Sequence, residues 1–238
     1  MCVAKHRGIL VVFLGPVGVG KSTIIGLLVG VLNTLGIRAR RTFLKAFHGL
    51  SYVLWASAAK LLALPRGRAS WYIIPRCGYI GLARALTLVS AYLDAFVNMP
   101  MRIFISKLYR LAGFVVLCEE YLYTALYDYL YSYAALNIRL RNLTLLPLVV
   151  IYVLASAHKP SMVVLLDVND CELLRRWLMR GYGDPQLKYV ELQKVFLRKM
   201  PYGEVLYVNT SNRSINEVVK LILKAIVRKG FLKEKREA

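Results

Sequence analysis

The hydrophobic positions of this chain form short uncharged runs separated by longer stretches with helical periodicity. Four runs have the length of a β-strand and lie at 8–14, 114–118, 162–166 and 205–208. The runs at 8–14 and 114–118 are typical of parallel strands buried on both faces. A fifth segment, 37–43, alternates instead, with Arg38 and Arg40 on one side and Arg41 on the other. Because charge marks an exposed strand, we expect this segment at an edge of the sheet.

The stretches between these strands have the spacing of helices. The predicted helices cover 21–35, about 49–64, 81–111, a tyrosine-rich segment ending near Tyr133, 143–157, 171–180, 186–199 and a last helix that opens at Ser214. A loop is predicted at 65–78, where two prolines and three arginines lie. Alternating strands and helices favour an α/β fold with a doubly wound parallel sheet and helices on both faces. Ligands of such sheets bind at the carboxyl ends of the strands.

Two helix starts have the spacing of a capping box, in which side chains at the two ends of a four-residue segment satisfy free N–H groups. The first pairs Asn169 with Glu172, and the second pairs Ser214 with Glu217. Both follow a predicted strand. They predict where the last helices of the chain begin.

A glycine-rich segment follows the first predicted strand. Gly15 to Ser22 has the sequence Gly-Pro-Val-Gly-Val-Gly-Lys-Ser and fits the pattern G-x-x-x-x-G-K-[ST]. In this pattern backbone N–H groups surround a phosphate, the lysine neutralises its charge, and the hydroxyl holds Mg²⁺. The next helix points its positive N-terminus at the same phosphate. The residues predicted to bind the nucleotide are Gly15, Pro16, Val17, Gly18, Val19, Gly20, Lys21, Ser22 and Thr23.

Length and composition limit the class of protein. The 238 residues suit one α/β domain, but a hydrophobic content of 58% and a mean hydropathy of +0.49 require a test for membrane spans. The longest uncharged runs are 22–37 and 142–158; the first belongs to the glycine-loop helix, and the second contains Pro147 and is shorter than the ~20 residues of a spanning helix. We therefore expect no membrane span. The four cysteines have no paired spacing, so neither a zinc site nor a disulfide framework is indicated, which suits the cytoplasm.

The chain is strongly basic, with 33 Lys and Arg against 13 Asp and Glu and a net charge of +20. Such an excess attracts polyanions, so nucleic acid or an anionic membrane surface is one class of partner, whereas a small phosphorylated substrate needs only a local part of the charge. The segment 230–238 is interpreted as a basic tail on the solvated surface, following a single domain at 1–229.

Two further segments carry a resemblance to a known family. Gly113 to Tyr121, Gly-Phe-Val-Val-Leu-Cys-Glu-Glu-Tyr, is similar to the strand of thymidylate kinases that ends in an Asp-Arg-Tyr motif. Leu166 to Gly181 resembles the strand, helix and arginine-bearing lid of the same family. With the glycine loop, these segments occur in the family's order and cover most of the chain, although 48–112 matches only loosely. The P-loop NTPase superfamily contains this family.

The resemblance implies a three-layer P-loop fold with a parallel sheet of order 2-3-1-4-5. It also implies ATP and Mg²⁺ as cofactors and a nucleoside monophosphate as acceptor. A homodimer is one possible assembly, and the sequence leaves the oligomeric state open. Carried over by position, Lys21 and the loop amides hold the ATP phosphates, and Ser22 with Glu119 holds the metal. Arg176 and Arg180 come from a lid at about 176–190 and act with Lys21 and Glu119 in catalysis. Phosphoryl transfer is expected to need a metal ion and arginines, because both neutralise the charge of the transferred group.

The chain departs from the family at several positions. Glu120 stands where the family has the arginine that approaches the acceptor phosphate, so the sign of the charge is reversed. The family's Glu-Pro-Gly-Gly segment after the second strand is absent, and Gly183-Asp184-Pro185 replaces the Asp-Arg pair after the lid helix. The acceptor therefore stays open, with Arg66, Arg68 or Arg76 as substitutes for the missing arginine.

Other residues allow two interpretations each. Asp94, in an apolar helix, either faces an acceptor or is a paired structural carboxylate. Trp71 either stacks on a base or anchors its loop. Two classes of function remain: an ATP-dependent phosphotransferase, and a P-loop ATPase or ATP-binding regulatory protein that binds nucleic acid through its basic surface.

Overall fold

A parallel β-sheet forms the centre of the fold. The computed structural model describes residues 8–65, 69–179 and 186–231. Its strands are β1 (Ile9–Leu14), β2 (Ala39–Phe43), β3 (Val115–Glu119), β4 (Met162–Asp167) and β5 (Val205–Asn209). All pairings are parallel, and the order across the sheet is β2-β3-β1-β4-β5. This confirms the order expected from the sequence and the edge position of the arginine-bearing strand.

Helices make up most of the rest of the described chain. They are α1 (Lys21–Thr34), α2 (Leu50–Leu61), α3 (Ser70–Arg76), α4 (Ile80–Leu93), α5 (Met99–Leu111), α6 (Leu122–Ala135), α7 (Asn142–Ala157), α8 (Asp170–Met179), α9 (Leu187–Lys199) and α10 (Ile215–Phe231). A π-helical turn, Asp94–Asn98, joins α4 to α5.

The chain divides into two compact units. The sheet unit comprises the described parts of 1–43, 105–121 and 159–238, and the helical unit comprises those of 44–104 and 122–158. In the sheet unit, side chains on one face of the strands pack against α1 and α10; Phe13, Leu28 and Ile222 are each fully buried there. Every residue of β1 is buried, so the apolar run correctly predicted a central strand.

The edge strand β2 carries its arginines as the alternation predicted. Arg38 lies over the ring of Phe114 and Arg40 over the ring of Tyr109, at 4.9 and 4.6 Å from the ring centroids. On the other face, Ala39 packs against the core of the sheet unit. Cation–π contacts of this kind stabilise by about 0.5–1 kcal/mol each at exposed positions.

The loop expected at 65–78 is in part a helix. α3 begins at Ser70, contains Pro75 and ends at Arg76, so the prediction of a loop was wrong over these residues. Tertiary packing accounts for the difference: Ile74 is fully buried, and the indole of Trp71 stacks on Phe47 with 5.6 Å between ring centroids. Pro75 lies close to the end of the helix, where it interrupts few backbone hydrogen bonds. Trp71 thus anchors this segment within the helical unit.

The two predicted helix caps have different outcomes. Ser214 and Glu217 form the reciprocal capping box, since the amide of each residue donates to the other's side chain. Asn169 caps α8 by accepting the Glu172 amide at 2.8 Å. The Glu172 carboxylate, however, does not reach back, because it binds the guanidinium groups of Arg175 and Arg176 at 2.8 and 2.9 Å. Salt bridges within α8 replace the second half of that box.

One helical stretch, Ile80–Leu111, is long and apolar enough to cross a membrane by length and composition, and 39% of its most apolar window is buried. The π-helical turn interrupts it, and the turn begins with Asp94, which is fully buried. A buried carboxylate requires partners within the protein. Core helices of water-soluble proteins meet the same criteria of length and composition.

Candidate functional site

The glycine loop adopts a conformation that requires glycine. Gly15 follows β1 directly and has φ of +138°, and Gly18 has φ of +94°. A Cβ at Gly15 would lie 2.3 Å from the carbonyl oxygen of Leu166, and one at Gly18 would lie 2.9 Å from the indole nitrogen of Trp177. The glycines therefore serve both backbone rotation and close packing against β4 and α8. This is the strand, loop and helix order that the motif requires.

Lys21, the first residue of α1, is folded back over the loop. Its ammonium donates to the carbonyl oxygens of Gly15 and Pro16 at 2.5 and 3.0 Å. It also forms an ion pair with Glu120, 2.8 Å from Nζ to Oε1, and only 5% of each side chain is exposed. A phosphate bound in the loop would compete with these three oxygens for the ammonium.

The hydroxyl of Ser22 meets the carboxylate of Glu119. Ser22 Oγ donates to Glu119 Oε1 at 2.7 Å, although 97 positions separate them in the chain. The strand order explains this contact: β3 lies next to β1, with Glu119 in register with Phe13, so the carboxylate comes to the edge where the loop starts. Ser22 and Thr23 are exposed in the first turn of α1. Both residues predicted as metal ligands are thus in direct contact.

Arg41 completes this group, and the sequence analysis gave it no role. Its guanidinium donates to Glu119 Oε2 at 2.5 Å, and 47% of its side chain is exposed. A signal was present in the sequence: the expected strand order puts β2 beside β3, and the alternation turns Arg41 away from the face of Arg38 and Arg40. Glu119 therefore accepts hydrogen bonds from the first turn of α1 and from β2.

Glu120 is the most unusual residue of the site. Its φ of +63° is left-handed, which strains a residue with a side chain by roughly 1–2 kcal/mol. This rotation turns the carboxylate towards Lys21, while its backbone N–H donates to the Phe13 carbonyl at 3.0 Å. Its second oxygen, Oε2, is buried and has no hydrogen-bond partner in the described part of the chain. A strained backbone and a half-satisfied buried carboxylate are both features of functional sites.

Arg176 forms a hydrogen bond with the backbone of the glycine loop. It donates to the carbonyl of Val19 at 3.3 Å and to both oxygens of Thr210 at 3.2 Å, and it pairs with Glu172. These contacts use most of its N–H donors. Trp177 adds a hydrogen bond from its indole to the Val17 carbonyl at 2.9 Å. α8 therefore supports the loop, a role that sequence reasoning missed for Trp177 and Thr210; Arg180 lies outside the described residues, as do Arg66 and Arg68.

Asp167, at the end of β4, forms ion pairs with two basic side chains of α9. Arg198 donates to its Oδ2 at 2.5 Å, and Lys194 lies 3.3 Å from its Oδ1. Burial raises the pKa of Asp167, but the Val168 amide, Lys194 and Arg198 together outweigh burial, so the pKa lies below its ordinary value of 3.8. The end of β4 thus carries a structural ion pair beside the glycine loop.

Replacing Asp167 with asparagine is expected to lower the free energy of unfolding by about 1 kcal/mol at pH 7. Because the folded pKa lies below the unfolded value of 3.8, the contribution is complete above pH 3.8 and is lost as pH falls through the folded pKa. Urea unfolding of the wild-type protein and Asp167→Asn at a series of pH values checks this. A difference that stays constant down to the acid limit would contradict it.

In the helical unit, Asp94 is a structural carboxylate. It accepts hydrogen bonds from Ser51 at 2.6 Å, Asn98 at 2.7 Å, Tyr129 at 2.5 Å and the Phe47 amide at 2.9 Å. Burial raises the pKa of Asp94, and these donors oppose that effect only in part. Of the two interpretations of this residue, the paired one describes it, since its oxygens are saturated by the protein.

Among the described residues, no group of three or more His, Cys, Asp or Glu side chains is placed to hold a metal by itself. The oxygen ligands near the loop are Ser22 Oγ, the Glu119 carboxylate and the orphaned Oε2 of Glu120. Hard oxygen ligands in this small number fit Mg²⁺, which keeps several waters and is shared with substrate phosphates. The residues present therefore fit a magnesium–nucleotide complex.

Comparison with known proteins identifies the fold. No family model and no curated protein matches the sequence. Among solved structures, a thymidylate kinase from Candida albicans is similar with a TM-score of 0.53 and 14% identity, covering 94% of this chain and 92% of that one. A thymidylate kinase from Ehrlichia chaffeensis has a TM-score of 0.52 and 16% identity, covering 92% and 98%. The chain has the α/β P-loop kinase fold of these proteins.

Proposed function

We propose that this chain is an Mg²⁺-dependent, ATP-binding phosphotransferase that transfers the γ-phosphate of ATP to a nucleoside monophosphate. The observation that carries the proposal is the 2.7 Å contact between Ser22 and Glu119 beside Lys21. A hydroxyl and a carboxylate, both ligands that Mg²⁺ binds, thus lie together. Beside them is the ammonium of Lys21, which in this reaction class binds phosphates. The likeness to thymidylate kinases at the level of the fold supports the same class of reaction.

The residues of the chain act mainly by positioning and by neutralising charge. We assign to the loop Gly15–Gly20 and to Lys21 the binding of ATP phosphates, and to Ser22 and Glu119 the orientation of the cation. When bound, ATP would supply the phosphoryl group and Mg²⁺ would offset its negative charge. Arg176 holds the loop through Val19 and Thr210, and Arg180 is proposed to reach the transferred group from the lid.

The direct test is transfer of labelled phosphate. The purified protein is incubated with γ-labelled ATP, Mg²⁺ and a panel of nucleoside monophosphates, and the products are separated by chromatography. We expect label in at least one nucleoside diphosphate. Intact ATP binding without transfer to any member of the panel contradicts the nucleotide-kinase assignment.

The net charge of +20 favours a second candidate, a P-loop ATPase or regulatory protein that binds nucleic acid. That function requires affinity for DNA or RNA that falls steeply as salt rises, together with ATP hydrolysis stimulated by the polymer. Measuring both activities beside the transfer assay distinguishes the two candidates.

We further propose that the protein is a cytoplasmic homodimer that associates through α7. Asn142–Ala157 contains no charged residue, and its outward positions include Leu146, Val149 and Val153, each more than 40% exposed. Depletion of charge is typical of the centre of protein–protein interfaces.

Val149→Arg is expected to convert the dimer into a monomer, because a charge would be buried without a partner at the contact. Light scattering after size-exclusion chromatography measures the mass. Val195→Arg on α9 is the matched control, since Val195 and Val149 have similar exposures of 48% and 45%. An unchanged mass in Val149→Arg contradicts this interface.

A further inference from the structure

The strongest unexplained feature of the sheet unit is the carboxylate of Glu120. Its side chain is 5% exposed, Oε1 pairs with Lys21 at 2.8 Å, and Oε2 is buried without a hydrogen-bond partner in the described part of the chain. The backbone holds it there at φ of +63°. A buried oxygen without a protein partner, on a side chain that pairs with the lysine of the phosphate loop, is available to a ligand that is not a protein group.

The charges around the loop identify that ligand. Glu120 neutralises Lys21, and Arg41 offsets Glu119, so this group of four side chains has no net charge before a ligand arrives. A free nucleotide would bring its phosphate charge to Lys21 and therefore against the Glu120 carboxylate. Like charges at such short separations in a buried site repel strongly. A nucleotide that carries a divalent cation removes the repulsion, and the cation accepts a hard oxygen ligand.

We propose that Glu120 makes nucleotide binding conditional on a divalent cation: it excludes free nucleotides from the loop and admits their Mg²⁺ complexes. Without ligand, Glu120 holds Lys21 by the ion pair. With a magnesium nucleotide, Oε2 would be available to hold the cation, and Lys21 would be released to the phosphates. This inference rests on the proposed function, and it assigns a role to the position where the chain departs from the thymidylate kinases that it resembles.

The test is nucleotide binding, measured by isothermal titration calorimetry with ADP in excess MgCl₂ and again in EDTA. For the wild-type protein we expect the Kd to rise by about tenfold or more when Mg²⁺ is removed. In Glu120→Gln, which keeps the shape and removes the charge, we expect tighter binding in EDTA and a magnesium effect that is smaller by about tenfold. Glu191→Gln, at an exposed position on α9, is the control and should retain the wild-type dependence.

The outcomes separate this inference from the proposed function. If the wild-type protein binds ADP under neither condition, the proposed function fails and the inference fails with it. If it binds equally well with and without Mg²⁺, or if Glu120→Gln keeps the full wild-type dependence, the inference alone is overturned. Glu120→Asp, which retains the charge, should keep the magnesium requirement, and loss of the requirement in that variant also overturns the inference. Circular dichroism of each variant confirms folding, and the wild-type comparison needs no variant.

Discussion

Lys21→Met is expected to reduce phosphoryl transfer by about 10²–10³-fold, since one preorganised charge at the transferred group has an effect of this size. Methionine keeps the length of the side chain and its packing but removes the charge that the phosphates meet. The initial rate of label transfer from ATP measures the effect. Lys224→Ala, an exposed lysine of α10, is the control and should transfer at the wild-type rate.

The same substitution also acts on the free protein. Removing Lys21 leaves the Glu120 carboxylate buried and without its partner, which is expected to lower the free energy of unfolding by about 3–5 kcal/mol. The double variant Lys21→Met/Glu120→Gln removes both charges and should recover much of the stability, while transfer stays low. Urea unfolding and the transfer assay on the same preparations separate the two effects. Normal transfer in either variant contradicts the role of Lys21.

Asp94→Ala is expected to lower the free energy of unfolding by about 4 kcal/mol, the upper range for a single substitution. The hydroxyls of Ser51 and Tyr129, the Asn98 amide and the Phe47 N–H all lose an acceptor in a buried place. Each unsatisfied donor costs about 1–3 kcal/mol, and local rearrangement recovers part of the sum.

Tryptophan fluorescence measures the unfolding, and two of the three tryptophans, Trp55 and Trp71, lie in the helical unit, where the buried indole of Trp55 donates to Ser90 at 2.9 Å. Tyr129→Phe removes one donor and should have a smaller effect of about 1–2 kcal/mol. Asp128→Ala, the other aspartate of the unit and half-buried, is the matched control and should change stability by less than about 1 kcal/mol. Equal effects of Asp94→Ala and Asp128→Ala would show that the network does not stabilise the unit.

The structural features around the loop that were predicted correctly are those that local chemistry determines. The uncharged run of β1 and the spacing from Gly15 to Ser22 predict a strand, a loop and a helix without knowledge of the rest of the chain. The position of Glu119 near the loop was predicted because it ends a buried strand and parallel strands end at one edge of the sheet, while its role with the metal stays a prediction from the resemblance. The edge position of β2 was confirmed for a similar reason, since its arginines exclude it from the centre.

The parts not predicted depend on backbone rotations and distant partners. Glu120 pairs with Lys21 from a backbone with positive φ, and nothing in the identity of a glutamate indicates such a rotation. α3 forms despite Pro75 because Ile74 and Trp71 bury their side chains within the helical unit. Arg176 resembles a catalytic arginine by position, yet its contacts with Val19 and Thr210 arise from segments far away in sequence.

At the start of β2, Arg38 and Arg40 alternate with the core-facing Ala39 between the two faces of the sheet. This alternation limits the insertions and deletions that the chain can tolerate between α1 and β2. Inserting one residue ahead of Arg38 and sliding the strand by one position along β3 would exchange its two faces. Arg38 would then enter the core that Ala39 fills, and the contacts of Arg38 and Arg40 with Phe114 and Tyr109 would be lost. An insertion in the turn after α1 is therefore tolerated only when the turn lengthens and the pairing of β2 with β3 stays unchanged. The arginines at the edge strand therefore fix its register relative to β3.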